Sequence, residues 1–184
     1  MPAHRRSAKL GTLLATLLLA SACGTTEPEP LKAMKPEVPA DLCASVPAPL
    51  REGLTANSNT DASGNPTAAC SLRSPDAESP QVHALVTWVQ ANEEVSATEV
   101  WDSQCNAIDR KALTEQAGFQ AAGADKACAA SGKVDGADSA SIAAISDREI
   151  ITVRLSSLPP GKPAAMAQAK AMLEGVLGSV AGDS

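Results

Sequence analysis

The chain has 184 residues, a formal net charge of −6, 44% hydrophobic residues and 2% aromatic ones. That apolar share excludes an intrinsically disordered chain, and the length suits one domain around a single core. The acidic balance argues against nucleic-acid binding and offers no polybasic patch to an anionic membrane surface.

Residues 1–22 read as a signal peptide. Arg5, Arg6 and Lys9 form a positive n-region, and Leu10 to Ala20 forms an uncharged apolar stretch. Small residues then lead into Ala20-Ser21-Ala22-Cys23-Gly24, which completes secretory architecture. A spanning helix needs about 20 apolar residues, so this segment is a leader, and no later stretch approaches that length without charges. The cysteine placed directly after small residues resembles the lipobox of bacterial lipoproteins. There, the cysteine takes a diacylglyceryl thioether and becomes the new N-terminus. Ala20 stands where that motif usually has Leu. The alternative is ordinary signal-peptidase cleavage after Ala22, with Cys23 left as a thiol. Arg5-Arg6 invites a twin-arginine reading, but Ser7-Ala8-Lys9 lacks the apolar pair, which favours the general secretory route. The leader carries away three basic residues and leaves the exported part at −9.

Residues 23–40 make the lipidated N-terminus and a linker. Pro28, Pro30, Pro36 and Pro39 favour polyproline II over helix or sheet. The spacer from Gly24 to Ala40 reaches roughly 50 Å when extended, at about 3.1 Å per residue. Residues 41–184 then form a single extracytoplasmic domain.

Asp41 is placed to cap a first helical turn, and Pro47 and Pro49 divide Asp41–Leu54 into two short helical pieces ending near Gly53. Thr55–Pro66 is polar and turn-forming and reads as a surface loop. Ala68–Arg73 is expected to form a short strand containing Cys70. Gln81–Gln90 is the clearest strand, with Val82, Ala84, Val86 and Trp88 on one face and His83, Leu85, Thr87 and Val89 on the other. Ser96-Ala97-Thr98-Glu99 fits a capping box that opens a helix. Ala97, Trp101, Cys105, Ile108 and Ala112 give that helix an apolar face, and both tryptophans read as core residues. Lys126–Lys133 is expected to be a strand around Cys128, and Asp135-Gly136 a hairpin turn. Ser139–Ser146 and Arg148–Ser156 follow as strands. In the second, Ile151, Val153 and Leu155 share one face while Arg148, Thr152 and Arg154 share the other. A last helix opens with Pro163 and carries a stripe of Met166, Ala169, Leu173, Val176, Leu177 and Val180. The order implies an α+β fold: an antiparallel sheet of about five strands with helices packed on one face.

Trp88, Trp101 and Phe119 are the only aromatic residues. Small aliphatic side chains must therefore fill the core, and at about 25 cal/mol per Å² each buries little. Covalent reinforcement would help such a core. Cys43, Cys70, Cys105 and Cys128 remain after Cys23, and an even count in an exported chain reads as two disulfides. Three pairings are possible. The sequential one, Cys43–Cys70 and Cys105–Cys128, staples each helix to the strand that follows it. No C-x-x-C occurs to favour redox or metal chemistry.

Catalytic signatures are sparse. His83 is the one histidine of the exported part, with no G-x-S-x-G elbow beside it. Asn57, Asn59 and Asp61 alternate like the start of a calcium loop but lack its Gly and closing Glu. Carboxylates are numerous, yet nothing singles out a glycosidase pair. No phosphate-cradling glycine motif is present. No catalytic residue, metal site or cofactor is therefore expected.

The signal, the ASAC segment, the Pro-rich spacer, the D-L-C helix start, the strand cysteine in AACSLRS and the later W-x-x-x-C on a helix form a set. Together they resemble the small cell-envelope lipoproteins of actinobacteria grouped as domain of unknown function 3558. Cys70-Ser71-Leu72 departs from that pattern, which places an aromatic two residues after the cysteine. The resemblance implies an α+β domain outside the membrane and no established activity. The expectation is a lipid-anchored surface module that binds a small ligand or an envelope protein. An envelope-processing hydrolase and an assembly accessory of a membrane complex are the alternatives.

Overall fold

A computed structural model describes residues 38–63, 65–76, 81–91, 96–108, 112–158 and 164–182. The signal peptide, Cys23, most of the linker and Pro163 lie outside the described residues. The described residues belong to one compact unit, Pro36–Ser184.

Asp41 caps α1 (Leu42–Ser45), its carboxylate accepting from the backbone N–H of Cys43 at 2.9 Å and of Ala44 at 3.3 Å. Pro47 precedes α2 (Ala48–Arg51). Three antiparallel strands follow: β1 (Thr55–Asp61), β2 (Thr67–Arg73) and β3 (Gln81–Gln90). Next comes α3 (Ala97–Asn106), whose capping box forms as the sequence predicts, with Ser96 Oγ accepting from Glu99 N at 3.1 Å and Glu99 reaching back to Ser96 N. The chain then lays down β4 (Thr114–Glu115), β5 (Lys126–Val134), β6 (Ala137–Ser146) and β7 (Glu149–Leu158), and closes with α4 (Ala165–Gly182).

The fold is α+β, and its sheet has seven antiparallel strands in the order β1-β2-β3-β7-β6-β5-β4. Two meanders therefore meet at a central seam between β3 and β7. The sequence leads one to expect about five strands. The two extra ones, β1 and β4, are the sheet's edges. β1 corrects the loop expected over Thr55–Pro66: Thr55 to Asp61 pair in register with Arg73 to Thr67. Every β1 residue is exposed, so no apolar alternation betrays it. Its polar side chains also suit an edge that must not recruit another chain. β4 is only two residues long. Gly132 lets its segment come close, since a Cβ there would lie 3.0 Å from the Ala112 carbonyl oxygen.

The main core lies between one sheet face and the pair α1 and α4. Val86, Trp88, Ile142, Ile151 and Val153 meet Leu42, Val46, Met172, Leu173 and Val176, all essentially inaccessible to solvent. Met172 joins the stripe expected along α4. Gly175 permits the α1–α4 approach, because a Cβ there would fall 2.5 Å from the Pro47 ring. The expected single helical face holds for α1 and α4. By contrast, α3 packs on the opposite face, where Ala97, Val100 and Trp101 cover Ile145 and Ile150. Strand parity explains this, because Ile145 points away from Ile142 and Ala144. Trp88 is fully buried and Trp101 half-buried, with Lys126 Nζ 5.6 Å from its ring centroid. Asp135 and Gly136, both at positive φ, make the β5–β6 turn.

The cysteines join as Cys43–Cys70 and Cys105–Cys128. The first ties α1 to β2 on the main-core face. The second ties α3 to β5 on the other.

Candidate functional site

Helix covers only half of the second sheet face. α3 lies over the β6 side, and among the described residues no helix packs over β1 to β3 on this face. Register makes the lattice of this face explicit. Arg73, His83, Ser156 and Ser139 stand abreast across β2, β3, β7 and β6. Ser71, Leu85, Arg154 and Ser141 form the next row. Ala69, Thr87, Thr152 and Ala143 form a third, where the Thr87 and Thr152 hydroxyls hydrogen-bond at 2.5 Å.

Two grooves run beside α3 on this face. The larger, about 400 Å³, has His83, Leu85, Arg154 and Ser141 in its floor. Ala107 and Ile108, just past the end of α3, and Leu113 wall it, with Val134 on the rim. The smaller, about 330 Å³, runs toward β2 past Thr87, Thr152 and Gln104. Leu85 and Arg154 border both. Ser139, Ser141 and Thr152 are each 8% exposed; the Ser139 hydroxyl donates to the Ala137 carbonyl and that of Thr152 bonds to Thr87. Arg154 is exposed and makes no ion pair or side-chain hydrogen bond among the described residues.

The residues singled out by sequence fall in different places. His83 is exposed on this face, opposite Arg73 and Ser156. No carboxylate hydrogen-bonds to it among the described residues. Asn57, Asn59 and Asp61 lie along the β1 edge. The Asp61 carboxylate accepts from Ser63 Oγ at 2.6 Å and Ser63 N at 2.8 Å, and these bonds hold its pKa below the ordinary range. Among the described residues no three His, Cys, Asp or Glu side chains gather closely enough to hold a metal ion. Glu149, on the main-core face beside Trp88, titrates above its ordinary value: burial is the main cause, the Trp88 indole N–H opposes it, and Asp147 adds to it. That indole contact stops short of a formed hydrogen bond.

Arg154 was not singled out by sequence, and neither were its neighbours Leu85 and Ser141. A signal existed in the second faces of β3 and β7, where His83, Leu85 and Thr87 and then Thr152 and Arg154 mix apolar, hydroxyl and basic side chains on central strands.

No protein-family model, no curated protein and no solved structure matches this chain. No helix among the described residues is long and apolar enough to cross a membrane.

Proposed function

We propose that this chain is an exported module, anchored outside the cytoplasmic membrane by lipid on Cys23, that binds a ligand or partner in the grooves beside Arg154. One observation carries the binding part. A recess with an apolar wall and a floor of hydroxyl and guanidinium groups crosses the central strands of the sheet. Binding sites commonly combine a mainly apolar lining with a few placed polar groups. The lack of a carboxylate partner for His83 among the described residues weighs against the histidine-dependent form of the hydrolase alternative, which would need the imidazole oriented. The Pro-rich spacer supports the anchoring part, since a tethered domain must clear the membrane surface.

A photo-reactive residue at Val134, on the groove rim, tests the reading in intact cells of the source organism. Irradiation is expected to give an adduct of discrete mass. The same residue at Glu52, remote on the α2 side, is expected to give none. Equal labelling from both positions would remove the groove from consideration.

A further inference from the structure

We infer that the larger groove takes a small amphiphilic anion, a single carboxylate head on an apolar body, with Arg154 holding the head. This rests on the binding reading above and names its ligand class.

Charge is the first argument. The chain carries −6 overall, yet the strand residues on this face put Arg73, His83 and Arg154 in two adjacent rows. Diagonal neighbours of this kind lie about 7–8 Å apart, within reach of long side chains. By strand parity, the acidic residues among the described strands of this face are Asp61 and Glu115, at the two opposite edges. Asp61 already accepts two hydrogen bonds from Ser63. Among the described lysines, Lys133 pairs with Asp138 and Lys170 with Glu174, while Lys126 lies over the Trp101 ring. Arg154 has no such partner among the described residues, although it stands on the central strand beside a recess.

Shape and chemistry narrow the occupant. Guanidinium groups match carboxylate geometry with two parallel hydrogen bonds. Ser141 stands next to Arg154 across the strand pair, with Ser139 and Ser156 abreast one row on. The Ser139 hydroxyl donates to the Ala137 carbonyl at 3.4 Å, which leaves Ser141 and Ser156 to complete the shell of a carboxylate. Beyond them the surface turns apolar at Leu85, Ile108, Leu113 and Val134. A neutral ligand would leave the guanidinium unmatched. A polyanion would meet repulsion from the acidic chain as a whole. One negative group on an apolar body suits both halves of the recess, and about 400 Å³ accommodates a short one.

The test uses the processed full-length chain, titrated with octanoate, octanol and inorganic phosphate and followed by NMR. Octanoate is expected to shift the signals of Leu85, Ile108 and Arg154 to saturation. Octanol, which has the body without the charge, and phosphate, which has charge without the body, are each expected to bind at least tenfold more weakly. Arg154→Gln is expected to weaken octanoate at least tenfold with an unchanged melting temperature, and Arg154→Lys to recover part of the loss. Equal binding of octanol and octanoate, or no effect of Arg154→Gln, overturns the ligand class while leaving the groove a binding site. A dimer by sedimentation whose interface fills the groove overturns it too. If no probe moves the groove signals and Val134 captures nothing in cells, the binding reading falls with it.

Discussion

Glu149 shows how one residue can set a pH response. Burial raises its pKa above the ordinary 4.5, so the folded state holds this proton more tightly than the unfolded chain does. The carboxyl is neutral in both states below about 4.5 and adds no penalty there. Above about 4.5 the unfolded chain releases this proton while the folded carboxyl keeps it, so stability falls until the pH passes the raised folded value and the full penalty is present. Glu149→Gln should therefore melt up to a few degrees higher than the parent at pH 7, and the gain should vanish below pH 4.5. Thermal melts across that range check it, and a constant difference at all pH values would exclude ionisation as the cause. Residues of this kind are hard to read from sequence, because Glu149 looks like an ordinary strand-end carboxylate. The same holds for Arg154. Alternation assigns it to a face, but only the sheet order reveals that its strand lies at the centre of the sheet.

Elements that bury one face were legible. β3 has the bounds its alternation predicts, and α3 begins at the capping box, because apolar period and cap chemistry are local signals. β1 was not legible, since TANSNTD buries nothing and is held by its backbone ladder to β2. The side on which α3 packs was not legible either. Its apolar residues suit a sheet face, and nothing local says which face. Its hold on the sheet is slight: Ala97, Val100 and Trp101 pack on a small cluster of Ala91, Ile145 and Ile150, and the Cys105–Cys128 link does the rest. Replacing both Cys105 and Cys128 with Ser should cost about 3–4 kcal/mol by loop-closure entropy. It should also speed amide exchange in α3 well ahead of α4. Hydrogen exchange by mass spectrometry resolves the two helices, and equal protection of both would show that packing alone secures α3. Because the chain just past α3 walls the recess, the same variant should bind octanoate more weakly.

For the whole molecule, composition and element order were enough for the class of fold, and strand order was not. The crossing from the middle of the sheet to its far edge after β3 depends on pairings between residues distant in the chain. The proposed anchor belongs to this scale as well. Cys23→Ala should move the protein from the membrane fraction to the medium or soluble envelope fraction, and full retention would end the lipid assignment. The two disulfides carry a last implication. One closes residues 43 to 70 and the other ties the crossing helix at Cys105 to β5 at Cys128, so neither bridges β3 to β7. The polypeptide between those meanders passes only through α3 and its flanks. A protease nick between the end of β3 and Cys105 would leave two pieces with no covalent bond between them, whereas a nick after Cys105 would leave them joined through Cys128. They would be held side by side by ten facing backbone positions and the shared packing under α4. Durability against digestion is thus concentrated in one short crossing, on the same side of the molecule as the recess.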